Sequence, residues 1–227
     1  EAIAGFVITG YGTRAFCAGA DIGRFPSMLG DADASVQYAR DCSRLLVHLD
    51  AMAKPVVAAV NGMALGGGFE LAMRCHALVA TRDAWMQLPE VTLGILPGIG
   101  AMVVPYRRWP GAAGPVDEVA ADRRSLVPGA VGRGRALAAG RTPIPDGPVA
   151  IPPFDGEVST AAGGMALSRT TVELIERAVR EAAAAPTLAE ALEIGYRAFG
   201  ASACTAAARE GIAAFHERRT PDFTKTE

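Results

Sequence analysis

Several things are scarce in this chain, and each scarcity removes a class of function. Net charge is −2 with a pI near 6.0, so no basic field is available to hold a nucleic-acid backbone or an anionic membrane. The four cysteines, Cys17, Cys42, Cys75 and Cys204, lie far apart with no C-x-x-C pair, so neither a zinc site nor a disulfide framework is indicated. No metal is expected, and a reduced, cytoplasmic compartment is. No apolar run approaches the ~20 residues of a membrane span. No charged-then-apolar leader opens the chain, and residue 1 is Glu1, so the sequence reads as a trimmed fragment. No internal repeat is visible.

What is present is a chain of 227 residues, 50% hydrophobic and 20% charged, enough to bury a substantial core. "GFVITG" (5–10) reads as a short strand closed by glycine, followed by the loop "YGTRAFCAGADIGRF". Between Asp33 and Ala53, Ala39, Cys42, Leu45, Leu46, Leu49 and Met52 recur at spacings of three and four, the pattern of a helix burying one face. Lys54-Pro55 ends it. "PVVAAV" (55–60) is a buried strand, a helix runs from Gly67 to Arg74, and "ALVAT" (77–81) is another strand. This βαβ-like alternation predicts an α/β core.

The C-terminal part is helical by pattern. Val172, Ile175, Val179 and Ala182 form one stripe, Thr187-Leu-Ala-Glu190 is a capping box, and "TAAAREGIAAFHERR" (205–219) makes a further helix. The chain thus divides into an α/β core (1–110), an irregular connecting region (111–166) and a helical subdomain (167–227). The connection is rich in Pro, Gly, Ala and Arg and reads as a surface linker apart from a helix near 119–139.

The segment "NGMALGGGFELAMRC" (61–75) resembles a nucleotide turn only superficially. A dinucleotide fingerprint needs glycines at the first, third and sixth places, whereas here they are Gly62, Gly66, Gly67 and Gly68. A phosphate loop needs Lys and then Ser or Thr after its last glycine, and Phe69-Glu70 stands there. Glycines opening a helix do let a ligand approach unpaired N–H groups at the positive end of the dipole, a geometry suited to a developing oxyanion.

Three segments, "AFCAGADI" (15–22), "KPVVAAVNGMALGGGFELAMRC" (54–75) and "WMQLPEVTLGILPGIGA" (85–101), resemble the crotonase, or enoyl-CoA hydratase/isomerase, superfamily in order and spacing. The ending "AREGIAAFHERRTPDF" (208–223) is similar to that family's C-terminal helix. The resemblance implies a spiral of ββα turns with a C-terminal helical subdomain, no cofactor, and a coenzyme A thioester as substrate. It places the thioester oxygen on two backbone N–H groups, at Ala20 and Gly67. It assigns Glu70 as the base that orients and deprotonates water and Glu90 as the donor of the α-proton. Two carboxyl groups suit hydration, because water loses a proton as the α-carbon gains one.

Around the coenzyme A arm and the acyl chain the resemblance puts Cys17, Ala18, Gly19, Asp21, Ile22, Gly66 and Phe25, with Arg14 and Arg24 as phosphate candidates. Phe16, Met28, Trp85 and Met86 are further candidates for an acyl pocket, with core packing as their default. Cys75 beside His76 does not read as a dyad, since adjacent helical side chains diverge. The implied assembly is a homotrimer or hexamer, and "LGILPGIGAMVVPYRRWPG" (93–111) is similar to modules joined to 3-hydroxyacyl-CoA dehydrogenases. Against the family pattern the sequence reads as starting after the usual N-terminal strand and loop, and a loop or helix is expected to be absent between Pro115 and Val116. Isomerisation of an enoyl-CoA, another acyl-CoA reaction of the superfamily, and a non-catalytic scaffold are the competing readings.

Overall fold

The structure is a computed structural model and describes residues 3–110, 116–138, 143–152, 160 and 164–226. Among the described residues, seven short strands alternate between two parallel sheets. Strands β1 (Phe6–Thr9), β3 (Val56–Val60), β5 (Ala77–Thr81) and β7 (Glu118–Ala120) form one, in the order β1-β3-β5-β7. Strands β2 (Ala15–Cys17), β4 (Met63–Leu65) and β6 (Trp85–Gln87) form the other, in the order β2-β4-β6. Each turn of the chain sends its first strand to one sheet and its second to the other. A helix closes the first two turns: α1 (Ala32–Ala51) and α2 (Gly67–Arg74). This is the ββα spiral that the resemblance implies, with registers such as Val57↔Ala77 and Met63↔Trp85 carrying one turn onto the next.

β3 shows why so short a strand is stable here. A strand alternates its side chains between two faces, and both faces of β3 are covered. Val56, Ala58 and Val60 join Leu46 and Leu49 of α1 and Ala72 of α2. Val57 and Ala59 join Leu126 and Ala130 of α4 (Leu126–Ala138) on the other side. A continuous apolar sequence is what a parallel strand buried on both faces requires.

β7 falls in the connecting region expected to be irregular, and α4 falls in the helix expected near 119–139. β7 pairs with β5 from Val79↔Glu118 to Thr81↔Ala120, and α4 covers the first sheet, so 118–138 is part of its layering rather than an exterior link. The helix expected from 119 begins instead at Leu126, after the strand. The junction at Pro115 lies outside the described residues.

α1 needs a second correction. Asp31 caps it, accepting from Ala34 N–H at 2.9 Å, and Ala39, Leu46 and Leu49 face inward as the spacing requires. Leu45, expected in the buried stripe, is 60% exposed, and Cys42 is largely exposed too. Ser43 is fully buried in their stead, because the hydroxyl of Tyr196 on α6 (Leu188–Ala203) donates to its Oγ at 2.6 Å. The neighbouring helix supplies a polar partner, so the inward face is not uniformly apolar.

The C-terminal helices α5 (Arg169–Ala184), α6 and α7 (Ala206–Glu217) pack on α1 and on the segment 89–103. Caps at Ser168, Thr187 and Thr205 open them, and the Thr187 hydroxyl accepts from Glu190 N–H at 3.1 Å. Two side chains tie this layer to the segment after β6. Thr171 donates to Gly94 C=O at 3.2 Å, and Ser202 accepts from Leu96 N–H at 3.2 Å.

Arg107, on the short helix α3 (Val104–Arg108), is 2% exposed and clasps the same layer. Its guanidinium donates to the carbonyls of Pro145 and Gly147 and to those of Ala182 and Ala185 at the end of α5. Arg107→Met leaves these acceptors without their shared donor. Hydrogen bonds to a charged group are worth roughly 1.5–3 kcal/mol each and are not additive, so a loss of about 3 kcal/mol is expected. Thermal denaturation should show it as a Tm lower by roughly 6–12 °C.

Candidate active site

The three glycines before Glu70 do three different jobs. Gly66 has φ +51, and a Cβ there would lie 2.5 Å from Oε1 of Glu90, so the position needs both the backbone freedom and the empty space. Gly67 opens α2. Its own Cβ would point at Ile99 Cδ1, 3.5 Å away, and at Ala20 N, 4.0 Å away. Gly68 seats the helix on β2, since a Cβ there would come 2.3 Å from Cys17 C=O. Close seating brings the start of α2 against the loop after β2.

In that loop Gly19 turns at φ +93, and a Cβ on it would sit 3.4 Å from Gly67 N. The N–H groups of Ala20 and Gly67, expected from separate motifs, therefore flank one small space. The same space is lined by Phe25, Tyr38, Cys42, Glu70, Glu90, Ile95, Leu96, Ile99 and Phe199, around a cavity of about 60 Å³. It is the meeting place of α1, α2, the turn Pro89–Leu93 and α6.

Glu70 is 2% exposed. Its Oε1 accepts from two backbone groups, Ile99 N–H and Ala101 N–H, each at 2.9 Å. Burial pushes its acidity weaker than that of an ordinary carboxyl, while the Ala101 and Ile99 N–H groups and the charge of Arg74 pull the other way. Glu90 has far less help. Its Oε2 is buried with no hydrogen-bond partner among the described residues. Desolvation first, and the charge of Glu70 second, push its pKa up to about 8. Burial raises the pKa of both carboxyls, and they differ in support: Glu70 has two backbone donors and Arg74, whereas Glu90 has a neighbouring acid.

The other expected residues fall into place unevenly. Asp21 Oδ1 accepts from Gly23 N–H at 3.0 Å and caps the turn Ile22–Ser27. That turn carries Phe25 into the cavity wall, edge-on to Tyr38 and Phe199 at centroid distances of 6.0 and 6.1 Å. Ile22 packs against the core beneath it. Cys17 ends β2, and Ala18 and Gly19 form the loop that follows. Arg14 and Arg24 are exposed. Phe16, Met28, Trp85 and Met86 do not line the cavity. Phe16 is core, Met28 and Met86 pack against core clusters, and Trp85 is exposed on β6.

Cys75 is buried, its thiol pushed up to about 12 by desolvation, and His76 Nδ1 accepts from Val56 N–H at 2.8 Å. That pair is part of the core. Tyr38, Phe199 and the donors at Ile99 and Ala101 were missed by sequence reasoning. The aromatic walls come from α1 and α6, far away in the chain, and backbone donors leave no mark in residue identity. The signal that was available is Arg74, four residues after Glu70 and so on its face of α2.

Glu90 links the site to stability. Its folded pKa lies above the ordinary carboxylate value, so the folded state keeps the proton that the unfolded chain releases. The stability involved is full below the ordinary carboxylate range and is lost as pH rises toward about 8. Glu90→Gln, which cannot ionise, is expected to match the parent's Tm at pH 5. At pH 9 it should exceed the parent's by roughly 5 °C or more in thermal scans.

The family model for enoyl-CoA hydratase/isomerase matches residues 1–116. A probable enoyl-CoA hydratase of Bacillus subtilis (strain 168) is 33% identical over 239 aligned residues, covering 96% of this chain and 80% of its own. A crotonyl-CoA hydratase of Syntrophomonas wolfei is 33% identical over 217, covering 96% and 79%. A peroxisomal fatty acid beta-oxidation multifunctional protein of Oryza sativa subsp. japonica is 47% identical over 96 residues, which are 41% of this chain and 13% of that one. Among solved structures, a carnitinyl-CoA dehydratase from Mycobacterium thermoresistibile superposes with a TM-score of 0.72 over 99% of this chain and 79% of that one, at 22% identity, a likeness of fold. Motifs, spiral and relatives agree, and the chain belongs to the enoyl-CoA hydratase/isomerase family of the crotonase superfamily.

Proposed function

We propose that this protein adds water reversibly to a 2-enoyl-CoA thioester, giving a 3-hydroxyacyl-CoA. The observation that carries the reading is the pair of carboxyl groups, Glu70 and Glu90, buried on one cavity with the N–H groups of Ala20 and Gly67. In this reading the thioester oxygen accepts from those two N–H groups at the positive end of α2, and the conjugated β-carbon becomes electrophilic. Glu70, acting in its carboxylate form, takes a proton from water as the water oxygen bonds to the β-carbon. The π electrons move onto the thioester oxygen as an enolate, stabilised by the two donors. Collapse of the enolate forms a C–H bond at the α-carbon with the proton of Glu90. Proton exchange with solvent then resets both carboxyls.

Phe25, Tyr38 and Phe199 give the cavity an aromatic wall beside the two carboxyl groups, an apolar surface suited to an acyl chain. The relation to a multifunctional β-oxidation protein supports a dehydrogenase as the enzyme that consumes the product, because a 3-hydroxyacyl thioester is a secondary alcohol ready for hydride removal.

The direct test follows the conjugated-thioester absorbance of crotonyl-CoA. The parent is expected to bleach it, and Glu70→Gln and Glu90→Gln each to lower kcat/KM by roughly 10²–10⁴-fold. If the parent leaves crotonyl-CoA untouched, the hydratase reading falls. With pH, kcat/KM should decline as pH rises through about 8, where Glu90 gives up its proton, and Glu90→Gln should lack this limb.

A further inference from the structure

Glu70 and Arg74 stand one helical turn apart on α2, and the same three residues of loop, Ile99 to Ala101, lie across both. Arg74 is fully buried. Its Nε lies 3.0 Å from each carboxylate oxygen of Asp50 on α1, and its Nη2 also donates to Asp50. A guanidinium is a rigid planar fork, so this grip fixes the direction of Nη1. Nη1 donates to Ile99 C=O at 2.8 Å. The next residue, Gly100, has φ +142, and a Cβ on it would come 2.9 Å from Nη1. The loop therefore wraps round the guanidinium. The N–H groups on either side of the wrap, at Ile99 and Ala101, are the two that reach Glu70 Oε1.

We infer that Arg74 is a positioning residue for the water-activating carboxylate: locked on Asp50, it holds the 99–101 loop so that two backbone N–H groups fix and support Glu70. This rests on the hydratase reading for the role of Glu70, while the linkage from Arg74 to Glu70 is a property of the fold alone. The charged and titratable groups around Glu70 are Arg74 on its own helix, Glu90 from the turn 89–93, and Tyr38 and Cys42 from α1, with Asp50 reached through Arg74. The 97–101 loop brings no charged or titratable side chain to Glu70. Of these, Arg74 alone carries positive charge. A role confined to bridging α1 and α2 would need only the Asp50 pair, and would leave Ile99 and Gly100 free of the guanidinium.

Two variants separate positioning from bridging. Arg74→Lys keeps a cation for Asp50 but cannot span both Asp50 and Ile99 C=O. Gly100→Ala keeps both partners of the Arg74–Asp50 pair and puts a Cβ against Nη1, which crowds the loop's contact with the guanidinium. The first readout needs no turnover: carboxyl ¹³C NMR of glutamate-labelled protein, with the Glu70 signal assigned by its loss in Glu70→Gln. Both variants should move the Glu70 titration upward by about one pH unit. The second is kinetic, with kcat for crotonyl-CoA falling ~10–100-fold and KM within about twofold, since loss of orientation falls on the chemical step. Should both variants fold and leave the titration and kcat at parent values, Arg74 is a bridge and the inference is wrong. Should the parent not hydrate crotonyl-CoA, the proposed reaction fails, and the NMR titration still decides whether Arg74 supports Glu70.

Discussion

The constraint on which everything else rests is the close seating of α2. Because Gly68 has no side chain, the helix can lie on the carbonyl of Cys17, and because it lies there, its first N–H groups meet the loop after β2. The approach of the Ala20 and Gly67 backbones is thus a packing consequence. A larger residue at Gly68 would part the two sheets' shared helix from β2 and separate Ala20 from Gly67. The parallel spiral makes this contact repeatable, since each turn hands one strand to each sheet and delivers the following segment to the same edge.

From that seating the electrostatics follow. Glu70, in the first turn of α2, is drawn into the interior, where a bare carboxylate would be costly. Two backbone N–H groups and the buried Arg74 offset part of that cost. Glu90, brought over Gly66 by the turn after β6, receives no comparable support and sits beside a neighbouring acid. Burial thus raises the pKa of both carboxyls, and one fold gives the two identical side chains unequal support. The C-terminal helices contribute by holding segment 89–103, through Thr171 on Gly94 and Ser202 on Leu96, so the helical layer is part of the site's scaffold as well as its wall.

How far this was legible in the sequence depends on how local each cause is. The bounds of α2 and of the strand "ALVAT" were readable because glycines, helix formers and β-branched residues act over a few positions. Glu70, Glu90 and the two N–H positions were implied by the resemblance to the crotonase superfamily, and the structure brings all four to one cavity. Long-range causes were invisible. Ser43 is buried because Tyr196 lies opposite it, β7 is a strand because β5 offers it an edge, and Tyr38 and Phe199 form a wall because α1 and α6 cross there. Arg74 is the instructive middle case. Its spacing from Glu70 was in plain view, yet its use depends on Asp50 and on a loop that no periodicity locates.

The central claim, that the two acids serve addition of water rather than migration of a double bond, is tested most directly by isotope. The protein is incubated with crotonyl-CoA in ¹⁸O-labelled water, and the product mass and fragmentation are read. The account requires a product heavier by one labelled water, with the ¹⁸O on the β-carbon, and its loss in Glu70→Gln. Consumption of an enoyl-CoA with no ¹⁸O gained, and the double bond moved instead, would contradict it.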